Sequence, residues 1–152
     1  MESMMNRRQA LATAAVAVGA ATSAVTAAPR RSRRTDEEPF GYCFNTSTVR
    51  GQKLAFDEQV ELTAKAGYDA IEPWVRDIQA FADKVGDLDK LRGRIEELGI
   101  TVESAIGFAN WIVDDDQKRA EGLKTARRDM KLVKAIGGTR IAAPPVGATN
   151  QE

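Results

Sequence analysis

The chain has 152 residues, 43% hydrophobic and 29% charged, and its 22 basic and 22 acidic side chains cancel. That balance fits one domain and excludes a polytopic membrane protein, a collagen-like repeat and a disordered tail. A single cysteine, Cys43, excludes an internal disulfide and multi-cysteine zinc motifs, and the lack of histidine excludes Ser-His-Asp and Cys-His catalysis by this chain alone.

The first 38 residues are unlike the rest: they carry a net +2, and the body carries −2. An acidic body gives no reason to expect nucleic acid as a partner. Asn6-Arg7-Arg8-Gln9-Ala10-Leu11 precedes an uncharged, alanine-rich run over 10–28 that closes on Val25-Thr26-Ala27-Ala28. A charged start, an apolar run and a small-residue cleavage site read as a secretory signal. The paired arginines make it resemble a twin-arginine export signal. Residues 1–28 are therefore expected to be a signal peptide, with a periplasmic product that has no membrane association once it is removed. The competing reading is an alanine-rich cytosolic helix. Residues 29–39, charged and without apolar side chains, read as a solvated linker.

The body, 40–149, alternates strand and helix, and 150–152 are a polar tail. A strand over 40–45 precedes a first helix over 56–66. Gly67 then ends the helix and Tyr68-Asp69-Ala70-Ile71-Glu72 reads as a strand. A second helix carries Leu88, Leu91, Ile95 and Leu98, and Gly99 leads into Ile100-Thr101-Val102-Glu103-Ser104. A third opens on Asp114, Asp115 and Asp116 and carries Leu123, Ala126, Met130 and Val133. After it, Gly137-Gly138 leads into Thr139-Arg140-Ile141-Ala142-Ala143. Three- and four-residue spacings mark one buried face per helix, and glycine at each end permits the left-handed cap that turns the chain. The acidic triplet suits a helix N-terminus, where the dipole favours negative charge.

Strands alternating with such helices imply parallel pairing and right-handed crossovers. The expected fold is α/β: a partial TIM (β/α)8 barrel of about four parallel strands and three helices, close to half of a complete one. An open doubly wound sheet is the alternative, but the loop after the first strand has no glycine-rich phosphate motif. Unpaired outer edges would then need covering.

In parallel α/β folds, chemistry sits at the C-terminal ends of the strands. Period-two alternation puts Ile71, Ile100 and Val102 toward the helices, and Glu72, Thr101 and Glu103 toward the opposite face. Glu72 is either an acceptor for a substrate hydroxyl, or part of an acid/base pair, or a structural partner for a buried cation. Glu103, deeper in its strand, reads as structural. Trp74 and Trp111 follow strand ends, where an indole stacks on sugar faces or caps a core. Cys43 reads as packing rather than nucleophile, and Asn45 as a ligand-orienting or strand-ending residue. Glu72 and Glu103 offer two oxygen ligands, short of a catalytic metal set.

The segments AGYDAIEPW, GITVESAIGFANW and GGTRIAAPP resemble the first half of sugar phosphate isomerases/epimerases of the xylose isomerase-like TIM-barrel family. The resemblance runs over about 40–149. It implies proton transfer next to a sugar carbonyl, aided by a divalent metal (Mn, Mg, Co or Zn). It also implies a small-molecule sugar or sugar phosphate as partner. In that family the metal ligands come from the later strands, so none is carried over here and no metal is expected on this chain alone. Glu72, Trp74 and Trp111 match positions near the substrate pocket. The expectation is a truncated chain, inactive alone, that pairs with a missing barrel half or with itself. The alternative is a non-catalytic carbohydrate-binding half-barrel that oligomerises. An endonuclease of the same superfamily would need histidines and a basic groove.

Overall fold

Among the described residues three short strands pair in parallel, side by side in chain order, with helices packed on one face. The computed structural model describes residues 39–148. The expected signal peptide, most of the linker, and the tail lie outside the described residues. The elements are β1 (Cys43–Asn45), a 3-10 helix (Thr46–Gln52), α1 (Phe56–Lys65), β2 (Ala70–Glu72), α2 (Val75–Lys84), α3 (Leu88–Glu97), β3 (Thr101–Val102) and α4 (Asp116–Ala135).

The register aligns Cys43 with Ala70, Phe44 with Ile71, Asn45 with Glu72, and Ile71 with Val102. Ile71, Ile100 and Val102 enter one apolar cluster with Val60 of α1, Ile78 of α2, Leu91 and Ile95 of α3 and Val133 of α4. The opposite face carries exposed Cys43, Thr101 and Glu103, and half-buried Asn45 and Glu72. The alternation expected from sequence therefore holds through Glu103. The helix-ending glycines behave as expected too: Gly67, Gly99 and Gly137 adopt φ of 82°, 61° and 92°. Asp115 caps α4, its carboxylate accepting from the Lys118 amide at 2.9 Å.

Four features differ from the sequence-based expectation. First, the described residues form four α-helices rather than three. Val75, Ile78 and Phe81 form an apolar face on α2, directly after Pro73-Trp74, in a stretch to which the sequence assigns no element. Second, the expected fourth strand over 139–143 is an extended segment joined by a single bridge, Ile106 with Ala142. Its ladder is nonetheless real: the Ala105 amide donates to the Arg140 carbonyl, Ala142 to Ala105, and Gly107 to Ala142. Pro144 and Pro145 have no amide hydrogen to extend it.

Third, the chain bulges after β3. Ile71 pairs with Val102 but Trp74 pairs with Ile106, so the third strand fits one extra residue between those pairs. Burial flips accordingly, from Ile100 and Val102 to Ala105, Gly107 and Ala109. Fourth, the buried stripe of α4 is Gly122, Asp129 and Val133, and Leu123 and Met130 are exposed. Gly122 sets this rotation. A Cβ there would lie 2.1 Å from the Asn110 carbonyl oxygen, so the helix backbone presses directly on the 108–111 loop. Among the described residues no helix is long and apolar enough to cross a membrane.

Candidate functional site

The open face of the sheet collects polar groups at the strand ends. Asn45 closes β1 and Glu72 closes β2, side by side in register. The Asn45 Nδ2 donates to Glu72 Oε2 at 2.7 Å, and Asn45 Oδ1 accepts from the Ser47 amide at 2.9 Å. The first bond fixes one carboxylate oxygen of Glu72. The second fixes the amide that does the fixing, so the pair is held from the backbone outward.

Glu103 follows β3 on the same face. Arg140, from the 139–143 segment, donates through Nε to the Glu103 carbonyl at 3.1 Å and through its terminal nitrogen to the Glu103 carboxylate. Both side chains are largely exposed, so this ion pair adds little stability. It does place a cation on the open face beside the Glu103 carboxylate. Sequence reasoning did not single out Arg140. The signal was present, since Ile141 packs on the core and alternation turns Arg140 the other way.

Cys43 reports the electrostatics of this face. Its thiol is pushed above the ordinary cysteine value, first by partial desolvation and then by the charges of Glu72 and Glu103. Both carboxylates therefore disfavour a thiolate at Cys43. A reactive nucleophile needs the opposite environment.

The two tryptophans sit elsewhere. Trp74 packs on Phe108 with ring centroids 5.0 Å apart, and the Arg76 guanidinium lies 4.0 Å from the indole centroid. Its groove, about 510 Å³, runs between α2 and α4 and is lined further by Gln79, Thr125 and Arg128; neither Glu72 nor Trp111 lines it. The buried indole Nε1 of Trp74 has no protein acceptor. Trp111 donates from Nε1 to the Ala143 carbonyl at 3.1 Å and so ties the loop after β3 to the 139–143 segment. Trp74 thus opens on the groove between α2 and α4, and Trp111 braces the loop after β3.

Among the described residues no three Asp, Glu, Cys or His side chains come together to hold a metal ion. Glu72 and Glu103 are the carboxylates at the strand ends, and each already has a protein partner. These residues do not fit a resident divalent metal.

Residues 60–152 match a family described as xylose isomerase-like TIM barrel. Similar solved structures include the IolI protein with a bound zinc atom, at TM-score 0.61 and 21% identity over 68% of this chain and 37% of that one. A probable 3-DHS dehydratase, AsbF, involved in petrobactin synthesis in Bacillus anthracis, aligns at TM-score 0.60 and 13% identity, over 68% and 38%. D-psicose 3-epimerase, crystallised in the presence of D-fructose, aligns at TM-score 0.57 and 22% identity, over 68% and 37%. At these identities the likeness is one of fold. The chain spans a little over a third of the length of these structures. No curated protein sequence matches it.

Proposed function

The chain belongs to the xylose isomerase-like TIM-barrel family, and from that premise we propose that it is part of an isomerase or epimerase acting on a sugar or sugar phosphate. The reaction class is proton transfer next to a sugar carbonyl. The observation that carries this reading is the Asn45–Glu72 pair at the strand ends. One oxygen of Glu72 is held by Asn45, which leaves the other to accept from a substrate hydroxyl. Arg140 beside Glu103 offers a donor to a ketose oxygen or a phosphate on the same face. The epimerase among the structural neighbours supports the substrate class.

The supporting residues bind and orient. In this proposal a divalent metal, where the reaction uses one, is held by residues outside 39–148, and the chain alone is inactive. The test is an epimerisation assay with a ketose, run on the chain alone and with a second barrel half supplying metal ligands. Turnover only in the mixture is the expected result. Turnover by the chain alone overturns the inactivity, and none in either overturns the assignment.

One observation favours the second reading, a non-catalytic carbohydrate-binding half-barrel: Trp74 and Phe108 form an aromatic platform in an open groove that Glu72 does not line. The export reading is likewise a proposal, resting on Asn6 to Leu11 and the alanine-rich run. A twin-lysine replacement of Arg7 and Arg8 should leave the product in the cytoplasm; continued export through that change would refute it.

A further inference from the structure

Asn45, Glu72 and Glu103 form one row across the open face of the sheet. Register pairs Asn45 with Glu72, and the Ile71–Val102 pair puts Glu103 next in line beside Glu72. The Glu103 amide continues the ladder by donating to the Ile71 carbonyl at 3.1 Å. Arg140 extends the row through its two bonds to Glu103.

Charge along that row is unevenly matched. Glu72 accepts from the neutral Asn45 amide, which brings no opposite charge. Glu103 and Arg140 offset each other. The row therefore carries more negative than positive charge. Cys43, on the same face, feels that sign: both carboxylates add to the desolvation that raises its thiol.

Arg140 is the cation of the row, but one edge of its guanidinium is already used. Nε donates to the Glu103 carbonyl at 3.1 Å, and the terminal nitrogen on the same edge donates to the Glu103 carboxylate. Such an edge otherwise grips a phosphate with two parallel bonds. The remaining N–H groups of Arg140 stay available to hydroxyl oxygens. A hydroxyl can accept from Arg140 or donate to the Glu72 oxygen that Asn45 leaves free. A phosphate offers acceptors, and it meets Glu72 and Glu103 as like charges.

On the reading of this face as a sugar site, we propose that Glu103 sets its substrate class. By holding Arg140 it makes the row select hydroxyls and keep phosphate off. The end of the substrate laid across these strands is an uncharged polyol. Selectivity then comes from a repulsive element as well as an attractive one. Glu103→Gln removes one negative charge and frees the guanidinium charge, and the bond from Arg140 Nε to the backbone carbonyl of residue 103 still holds Arg140 in place.

Two measurements on the 152-residue chain test it. The first compares the dissociation constants of a ketose and its phosphate at low ionic strength. The ketose should bind more tightly. Glu103→Gln should move the ratio toward the phosphate by about tenfold. Glu103→Asp, which keeps the charge, should leave the order as it was. The second measurement needs no sugar. Cys43 is exposed and reacts with neutral iodoacetamide and with anionic iodoacetate. The ratio of the two rates cancels the thiolate fraction and reads the potential that an incoming anion meets. The anionic-to-neutral ratio should lie below that of a free cysteine peptide. It should rise about threefold in Glu103→Gln at low salt, and the difference should vanish at high salt. Phosphate binding as tight as the ketose, or a Cys43 ratio that Glu103→Gln leaves unchanged, overturns the proposal. A chain that binds neither ligand refutes the sugar reading instead, and the reagent ratio still decides whether Glu103 keeps anions off this face.

Discussion

Asn45 and Glu72 meet across β1 and β2 at their C-terminal ends, amide nitrogen to carboxylate oxygen, 2.7 Å apart. The relationship follows from register: the two residues are direct neighbours in a parallel pair, with side chains on the same face.

Asn45→Ala removes a half-buried bond to a carboxylate and the cap on Ser47, and should cost about 1 kcal/mol in chemical denaturation. Asn45→Asp keeps an acceptor for Ser47 but sets two carboxylates against each other. Its stability at neutral pH should fall below that of Asn45→Ala and recover as acid protonates one of the pair. Equal losses at all pH values would show that the two side chains do not interact in solution.

Two glycines with opposite surroundings should respond oppositely to alanine. A Cβ at Gly122 meets the Asn110 carbonyl at 2.1 Å, so Gly122→Ala should cost about 1–3 kcal/mol and loosen the 108–111 loop. Gly93, inside α3, has nothing within 4 Å of its would-be Cβ. Gly93→Ala should stabilise by about 0.5–1 kcal/mol through helix propensity. Thermal melts of the two variants decide the point.

Cys43 should alkylate slowly at neutral pH although it is exposed, because partial desolvation and two carboxylates hold its thiol above the ordinary value. Glu72→Gln and Glu103→Gln should each speed the reaction. The linkage has a definite sign. The folded thiol keeps its proton to higher pH than the unfolded one. Its contribution to stability is full below the unfolded value and is lost as pH rises through the folded value. Alkylation faster than a free cysteine peptide would contradict the described environment.

Much of this arrangement was legible in the sequence. Gly67, Gly99 and Gly137 stood out because only glycine easily takes the positive φ that ends these helices. Glu72 and Glu103 fell on the open face because strand alternation is strict until something breaks it. The bulge breaks it after Glu103, and no local residue pattern announces that extra residue. α2 was missed because its ten residues follow Pro73-Trp74 without a side-chain cap. The stripe on α4 was misread for a physical reason: Leu123 and Met130 share its apolar period but sit on a flank that these strands do not cover. Trp74 and Trp111 looked equivalent after strand ends, and only packing separates the groove residue from the tie to Ala143.

That tie gives a further expectation. Trp111→Phe keeps the ring and loses the bond to the Ala143 carbonyl, and should cost about 1 kcal/mol. Amide exchange should quicken at Ala142, whose bond to Ala105 lies next to the tie, and stay unchanged in α1. Uniform quickening across the chain would instead mark a global loss.

The most direct test of the central claim is a titration of the chain with a ketose and its phosphate, followed by backbone amide shifts. The account expects perturbations at Asn45, Glu72, Glu103 and Arg140, abolished by Glu72→Gln and unaffected by Trp74→Ala. Shifts confined to Trp74, Phe108 and Thr125, surviving Glu72→Gln, would contradict it and move the binding site to the groove between α2 and α4.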